Sequence, residues 1–129
     1  MNRISIFIVD DHKPMRTLFK AMLNSEKMIR VVGEESKGDD AVKQVIALNP
    51  DILLIDQNLL GLSGIDTIKQ IKCKKECTTK SILMTMGDLL LYKKDCESIG
   101  VDGVMSKSNS KEEIIKIIKR VAQGKSHYD

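Results

Sequence analysis

Five side chains of this sequence could carry chemistry together: the neighbouring carboxylates Asp10 and Asp11, the lone carboxylate Asp56, the hydroxyl of Thr85 and the ammonium of Lys107. Each falls at or just after the end of a short apolar run, Ile4–Val9, Ile52–Ile55, Ile82–Met84 and Gly103–Met105 respectively. Carboxylates held a few ångströms apart repel one another and cannot all ionise cheaply without a counter-charge. A hard divalent cation removes that cost, and Mg²⁺ suits a few carboxylates, a carbonyl and several waters. The lysine adds a mobile point charge for a phosphoryl oxygen, and the threonine adds a hydroxyl donor. Such a set would stabilise the charge of a phosphoryl group transferring to an aspartate oxygen. Asp10 and Asp11 are adjacent and read as a metal pair; Asp56 stands alone and reads as the nucleophile.

That chemistry requires elements that bring the run ends together. The strand candidates are Ile4–Val9, Arg30–Gly33, Ile52–Ile55, Ile82–Met84 and Gly103–Met105. Several are continuously apolar, as strands covered on both faces must be. Between and after them lie segments of helical period. Pro14 sits where a first helical turn tolerates it, ahead of a stripe of Met15, Leu18, Phe19, Met22 and Leu23. Asp40–Leu48 is stopped by Asn49-Pro50, and Gly64–Lys74 and Leu89–Ile99 follow, the latter ending at Gly100. Ser110–Ala122 is the clearest, with Ser110 and Glu113 in capping-box spacing. Alternating strands and helices predict an α/β fold with a doubly wound five-stranded parallel sheet. Its expected form is the flavodoxin-like (βα)5 arrangement with strand order 2-1-3-4-5, and residues 1–129 are expected to form one domain. In such a sheet the functional crevice lies outside the carboxyl ends of the strands, where these five residues converge.

Composition bounds the function. The chain has 129 residues, 42% hydrophobic and 30% charged, with a net charge of +3. No apolar run approaches the roughly 20 residues of a membrane span, and the apolar start is too short for a secretory signal, so a cytoplasmic protein is expected. Aromatics are only 3%, which leaves no stacking platform for single-stranded nucleic acid. Cys73, Cys77 and Cys96 cannot all pair within the chain and are read as free thiols.

The run Val9-Asp10-Asp11-His12, Asp56 after Ile52-Leu53-Leu54-Ile55, and then Thr85 and Lys107 resemble the response-regulator receiver family of two-component signalling. The resemblance spans the whole chain. It implies that Asp10 and Asp11 hold Mg²⁺, that Asp56 accepts the phosphoryl group, and that Asn58 lends a backbone carbonyl to the metal. It implies that Thr85 and Lys107 engage the phosphoryl group, and that the donor is a histidine kinase. Output would be a changed surface on the fourth helix, fifth strand and fifth helix, with a possible homodimer there. Enzymatic turnover of a separate substrate is not implied. The flanks Met28–Glu34, Gly100-Val101-Asp102-Gly103 and Val121-Ala122-Gln123-Gly124 are similar to the branch with a LuxR-type helix-turn-helix output domain. DNA binding is therefore expected through a domain beyond residue 129, not through this chain; the other reading is a stand-alone receiver.

Three positions depart from the family's pattern. Leu60 stands where a proline commonly rigidifies the loop after the phosphoacceptor, and Met86 follows Thr85 where a small residue usually leaves access open. Val104 occupies the place of an aromatic switch residue, and valine has no ring to swing. These departures keep alive a phosphorylation-independent interaction module. A Mg²⁺-dependent phosphatase of the haloacid-dehalogenase type would need a second Asp at position 12, which is His12. On blander readings Asp10-Asp11 is a turn or helix cap, His12 a solvated loop residue, and Asp51 a turn residue. Leu89-Leu90-Leu91-Tyr92 reads either as ordinary burial or as an exposed patch for a partner.

Overall fold

The β-branched runs form the strands of one parallel sheet, and the amphipathic segments between them cover both of its faces. This computed structural model describes residues 3–87 and 89–128, and the side chain of Leu90 lies outside that description. The strands are β1 (Ile4–Val9), β2 (Ile29–Glu35), β3 (Ile52–Asp56), β4 (Lys80–Thr85) and β5 (Gly103–Ser106). The helices are α1 (Lys13–Asn24), α2 (Gly38–Leu48), α3 (Gly64–Lys72), α4 (Leu89–Ile99) and α5 (Lys111–Ala122). The sheet order is β2-β1-β3-β4-β5 and every pairing is parallel, the flavodoxin-like arrangement expected.

The strands alternate their side chains between two cores. Ile6, Ile8, Ile52, Leu54, Ile82, Met84 and Met105 meet Phe19 and Leu23 of α1 and the isoleucines of α5 on one face. Phe7, Val9, Leu53, Ile55, Leu83 and Val104 meet α2, α3 and Cys96 of α4 on the other. β1 and β3 sit centrally, so both sets are buried and the strands lack any polar alternation.

Element ends differ from the sequence reading by a few residues. β2 continues through Glu34 and Glu35 because β1 pairs with it as far as Val9. The register shifts between Ile6 and Phe7 skip Val32, and a Cβ on Gly33 would lie 2.6 Å from the Phe7 ring. α2 begins at Gly38, so Asp39 and Asp40 occupy its first turn, where carboxylates suit the helix dipole. Asn49 ends that helix in the left-handed region at φ 47°. α3 stops at Lys72, two residues short of the expected end. At α5 the Ser110 hydroxyl accepts the Glu113 N–H and the Glu113 carboxylate accepts the Ser110 N–H, a capping box worth about 1 kcal/mol. Cys73, Cys77 and Cys96 are free thiols. Asp51 is more than a turn: its carboxylate accepts the backbone N–H and hydroxyl of Ser5. Of the apolar run that opens α4, Leu91 is exposed while Leu89 and Tyr92 are half-buried; Leu90 falls outside the described side chains.

Candidate functional site

Because every pairing is parallel, all five strand carboxyl ends lie on one rim, and there the acidic residues meet. Asp10 follows β1 directly, Asp56 is the last residue of β3, and Thr85 is the last of β4. Asp10, Asp56 and Thr85 are all buried, and Asp11 is half-buried. Ligand atoms of Asp10, Asp11, His12 and Asp56 lie within 4.8 Å of one another.

Lys107 supplies the counter-charge. Its ammonium is 2.6 Å from Asp10 Oδ2 and 3.4 Å from Asp56 Oδ2, and its side chain is only 5% exposed. The β4–β5 register sets this reach: the Lys107 N–H donates to the Thr85 carbonyl (3.1 Å), so the lysine leaves β5 beside the end of β4. Burial opposes the charged ammonium, but the carboxylates of Asp10 and Asp56 outweigh it and hold Lys107 above the ordinary lysine range. Burial pushes the Asp56 carboxyl up, against the pull of Lys107, and Asp10 pushes the same way.

The remaining lone pairs show what the cluster lacks. Asp10 Oδ1 accepts the His12 N–H (2.9 Å), and Asp56 Oδ1 accepts the Asn58 N–H at a long 3.3 Å. Asp10 Oδ2 and Asp11 Oδ1 are buried and, among the described residues, have no partner in hydrogen-bond geometry. Asp10 Oδ2 thus has the charge contact with Lys107 but no aligned donor, and Asp11 Oδ1 faces His12 Nδ1 at 3.0 Å. Buried carboxylate oxygens left without donors are costly, and a hard cation satisfies them. The three carboxylates of this set, Asp10, Asp11 and Asp56, fit Mg²⁺ at a partly open rim; the exposed His12 imidazole is the one nitrogen donor beside them, and among the described residues no sulfur joins the group.

Three residues that the sequence reading passed over support the site. Arg16 donates from Nη1 to the Asp10 carbonyl (2.7 Å) and from Nε to Glu34 (3.1 Å), so it ties the turn after β1 to β2. Lys20 and Arg16 hold the Glu34 carboxyl below its usual range through their hydrogen bonds. Gln57 pins the loop after Asp56: its N–H donates to Met84, its carbonyl accepts Gly64 N–H, and its side chain accepts Ile65 N–H. A Cβ on Gly64 would stand 2.5 Å from the Asp56 carbonyl, so this glycine allows the loop to close tightly. A polar residue directly after the acid and a glycine at the next helix start were the available signals.

The other expected positions are placed as follows. Asn58 is exposed, and its described contact is the N–H to Asp56. The Thr85 hydroxyl accepts the Gly87 N–H (3.0 Å) from its own loop. Met86 and Leu60 are 66% and 75% exposed on loops of the same rim. Gln57 anchors the base of the Leu60 loop, doing part of what a proline would do at its tip. Val104 is fully buried in the core under α4. His12, expected as a solvated loop residue, precedes α1 and is exposed, yet its ring lies beside Asp11.

Comparison with known proteins agrees with this geometry. The chain matches the family described as "Response regulator receiver domain" over residues 6–119. It belongs to the response regulator receiver family. Among its relatives, a nitrate/nitrite response regulator protein homolog of Haemophilus influenzae is 28% identical over 126 residues, covering 95% of this chain and 59% of that one. Response regulator UvrY of Escherichia coli O6:H1 is 30% identical over 124 residues, covering 96% and 56%. The receiver thus spans a little over half the length of the curated relatives it matches. The signal receiver domain of the response regulator NarL from Mycobacterium tuberculosis superposes with a TM-score of 0.90 at 24% identity, over 97% of this chain and 100% of that one. A LuxR-family regulator from Aurantimonas sp. gives 0.91 at 22% identity, over 98% and 89%. Among the described residues no helix is long and apolar enough to cross a membrane.

Proposed function

We propose that this receiver is a phosphorylation-controlled switch whose acceptor is Asp56. One observation carries the reading: buried Asp10 and Asp56, half-buried Asp11 and the Lys107 ammonium meet at the sheet rim, with two carboxylate oxygens lacking aligned donors among the described residues. Asp10, Asp11 and Asp56, with the Asn58 carbonyl, would hold Mg²⁺, which supplies charge neutralisation for the incoming phosphoryl oxygens. The donor is the phosphohistidine of a histidine kinase. An Asp56 carboxylate oxygen attacks phosphorus, the P–N bond breaks, and its electron pair leaves on the imidazole nitrogen. Lys107 leaves Asp10 to pair with a phosphoryl oxygen, and the Thr85 hydroxyl donates to another. The added charge of about −1.5 to −2 biases an existing two-state equilibrium rather than creating a new state.

Residues 1–129 serve as one receiver domain in this reading, acting in the cytoplasm and turning over no separate substrate. Its output surface is α4, β5 and α5, where a second copy docks. Transcription is controlled through a helix-turn-helix domain beyond residue 129, and the receiver itself does not touch DNA. Beryllofluoride with Mg²⁺, an acyl-phosphate mimic, is expected to shift the Thr85 and Lys107 amide signals in NMR, and Asp56→Asn to abolish the response. A response surviving that substitution removes Asp56 from its role.

A second reading, a phosphorylation-independent interaction module, draws on Val104, whose aliphatic side chain fills the core where a mobile ring would otherwise lie. Spectra unmoved by Mg²⁺ up to several millimolar would favour it.

A further inference from the structure

After α5 the chain turns back on itself. Gly124 adopts φ +90°, and Lys125 N–H donates to the Arg120 carbonyl, closing the helix end. The following residues then run beside β5. His127 forms a parallel bridge to Gly103; its N–H donates to the Asp102 carbonyl (2.9 Å) and its carbonyl accepts the Val104 N–H (2.7 Å). The outer edge of β5 is thereby paired at its start, around Gly103 and Val104. Gly103 makes room for this: a Cβ there would lie 3.1 Å from the His127 carbonyl and 3.3 Å from Val121.

Tyr128 completes the attachment. Its hydroxyl donates to the Val101 carbonyl, and its ring packs against the core cluster that holds Val101, Val104 and Cys96 of α4. Leu89, Tyr92 and Ile99 of α4 pack against the same cluster. Burial, with the nearby carboxylates of Asp102 and Glu97, pushes the Tyr128 phenol up. An aromatic ring therefore packs against the core cluster to which Val104 belongs, but it arrives from the C-terminal segment rather than from β5 itself.

We propose that residues 125–128 are an intramolecular strap, seated on the β5 edge and under α4 in the resting receiver, which is released when the Asp56 site is loaded. This rests on Asp56 being the acceptor. The two sites meet across a strand of four residues: Lys107 and Thr85 join β5 to the end of β4 on one side, and His127 grips its other edge. The strap is docked in the arrangement where the Thr85 hydroxyl is engaged by Gly87 of its own loop. Drawing that hydroxyl toward a phosphoryl group moves the β4–α4 loop and with it the α4 side of the Tyr128 seat. By linkage, removing the strap must favour the loaded state as much as loading disfavours the strap. Release also frees the β5 edge for a second copy of the chain.

The test is amide hydrogen exchange and NMR on the full chain with Mg²⁺ and beryllofluoride. Saturation is expected to speed exchange at Val104 about tenfold and to shift the Tyr128 ring signals. Tyr128→Ala is expected to tighten beryllofluoride binding severalfold; Tyr128→Phe, which keeps the ring, and His127→Pro, which removes the N–H to Asp102, act in the same direction. If Thr85 and Lys107 respond while Val104 exchange and Tyr128 do not, the strap is refuted and the acceptor stands. If Thr85 and Lys107 stay silent, the acceptor assignment itself fails. Unchanged or weaker beryllofluoride binding in both Tyr128 variants also overturns the strap.

Discussion

Lys107→Met probes the electrostatics of the site, because it keeps a long apolar stem and deletes the ammonium, its charge and its hydrogen bond to Asp56 together. The ammonium faces Asp10 at 2.6 Å and Asp56 at 3.4 Å, with 5% side-chain exposure. At an effective dielectric near 20 these separations correspond to gross attractions of about 6 and about 5 kcal/mol. Most of that is offset by the cost of desolvating the ammonium, and Asp56, already raised by burial, can relieve the remainder by taking a proton. The net cost of leaving buried carboxylates without their cation is then about 3 kcal/mol, the low end for a broken buried pair. Urea unfolding in EDTA at neutral pH reads this loss, and in thermal scans the melting midpoint should fall by roughly 10 °C. Combining Lys107→Met with Asp10→Asn should recover stability, with a coupling of at least about 1 kcal/mol. The deficit should shrink as pH falls and Asp56, raised by burial, protonates, and Mg²⁺ should bind the variant more tightly than the wild type. A change within about 0.5 kcal/mol of wild type in EDTA, or no measurable coupling to Asp10, would refute the reasoning.

Three further substitutions probe separate parts of the same argument. Asp56 has a raised folded-state pKa, so its ionisation costs the fold stability that is lost as pH rises through that value. Asp56→Asn should therefore stabilise the metal-free protein at neutral pH by about 1 kcal/mol, with the gain vanishing below about pH 4; thermal scans across pH check this. Arg16→Ala releases the Asp10 carbonyl and should weaken Mg²⁺ binding about tenfold in calorimetry, although it removes a nearby positive charge; tighter binding would contradict the positioning role. A Cβ on Gly38 would meet Thr67 Oγ1 at 2.0 Å, so Gly38→Ala should cost roughly 2 kcal/mol in urea unfolding. Adding Thr67→Ala should recover part of it, since that hydroxyl is the worst clash.

What the sequence alone determined was everything carried by local pattern and by chain order. Runs such as Ile52–Ile55 read as strands buried on both faces, and Ser110 with Glu113 announces a helix start, because burial period and capping act over a few residues. Alternating order and crossover handedness then leave few sheets, and so the meeting of Asp10, Asp56, Thr85 and Lys107 at one rim was legible before any coordinates. The tertiary structure alone decided which of those groups touch. Lys107 lies nearer Asp10 than Asp56, Arg16 reaches back to the Asp10 carbonyl, and Gln57 locks the loop that Leu60 seemed to leave loose. The return of Tyr128 to Val101 and of His127 to β5 was equally invisible. Each depends on distances of a few ångströms between elements far apart in sequence, set by the β4–β5 register, by missing side chains at Gly64 and Gly103, and by how tightly the helices seat. No periodicity encodes such a distance; packing of the whole chain fixes it.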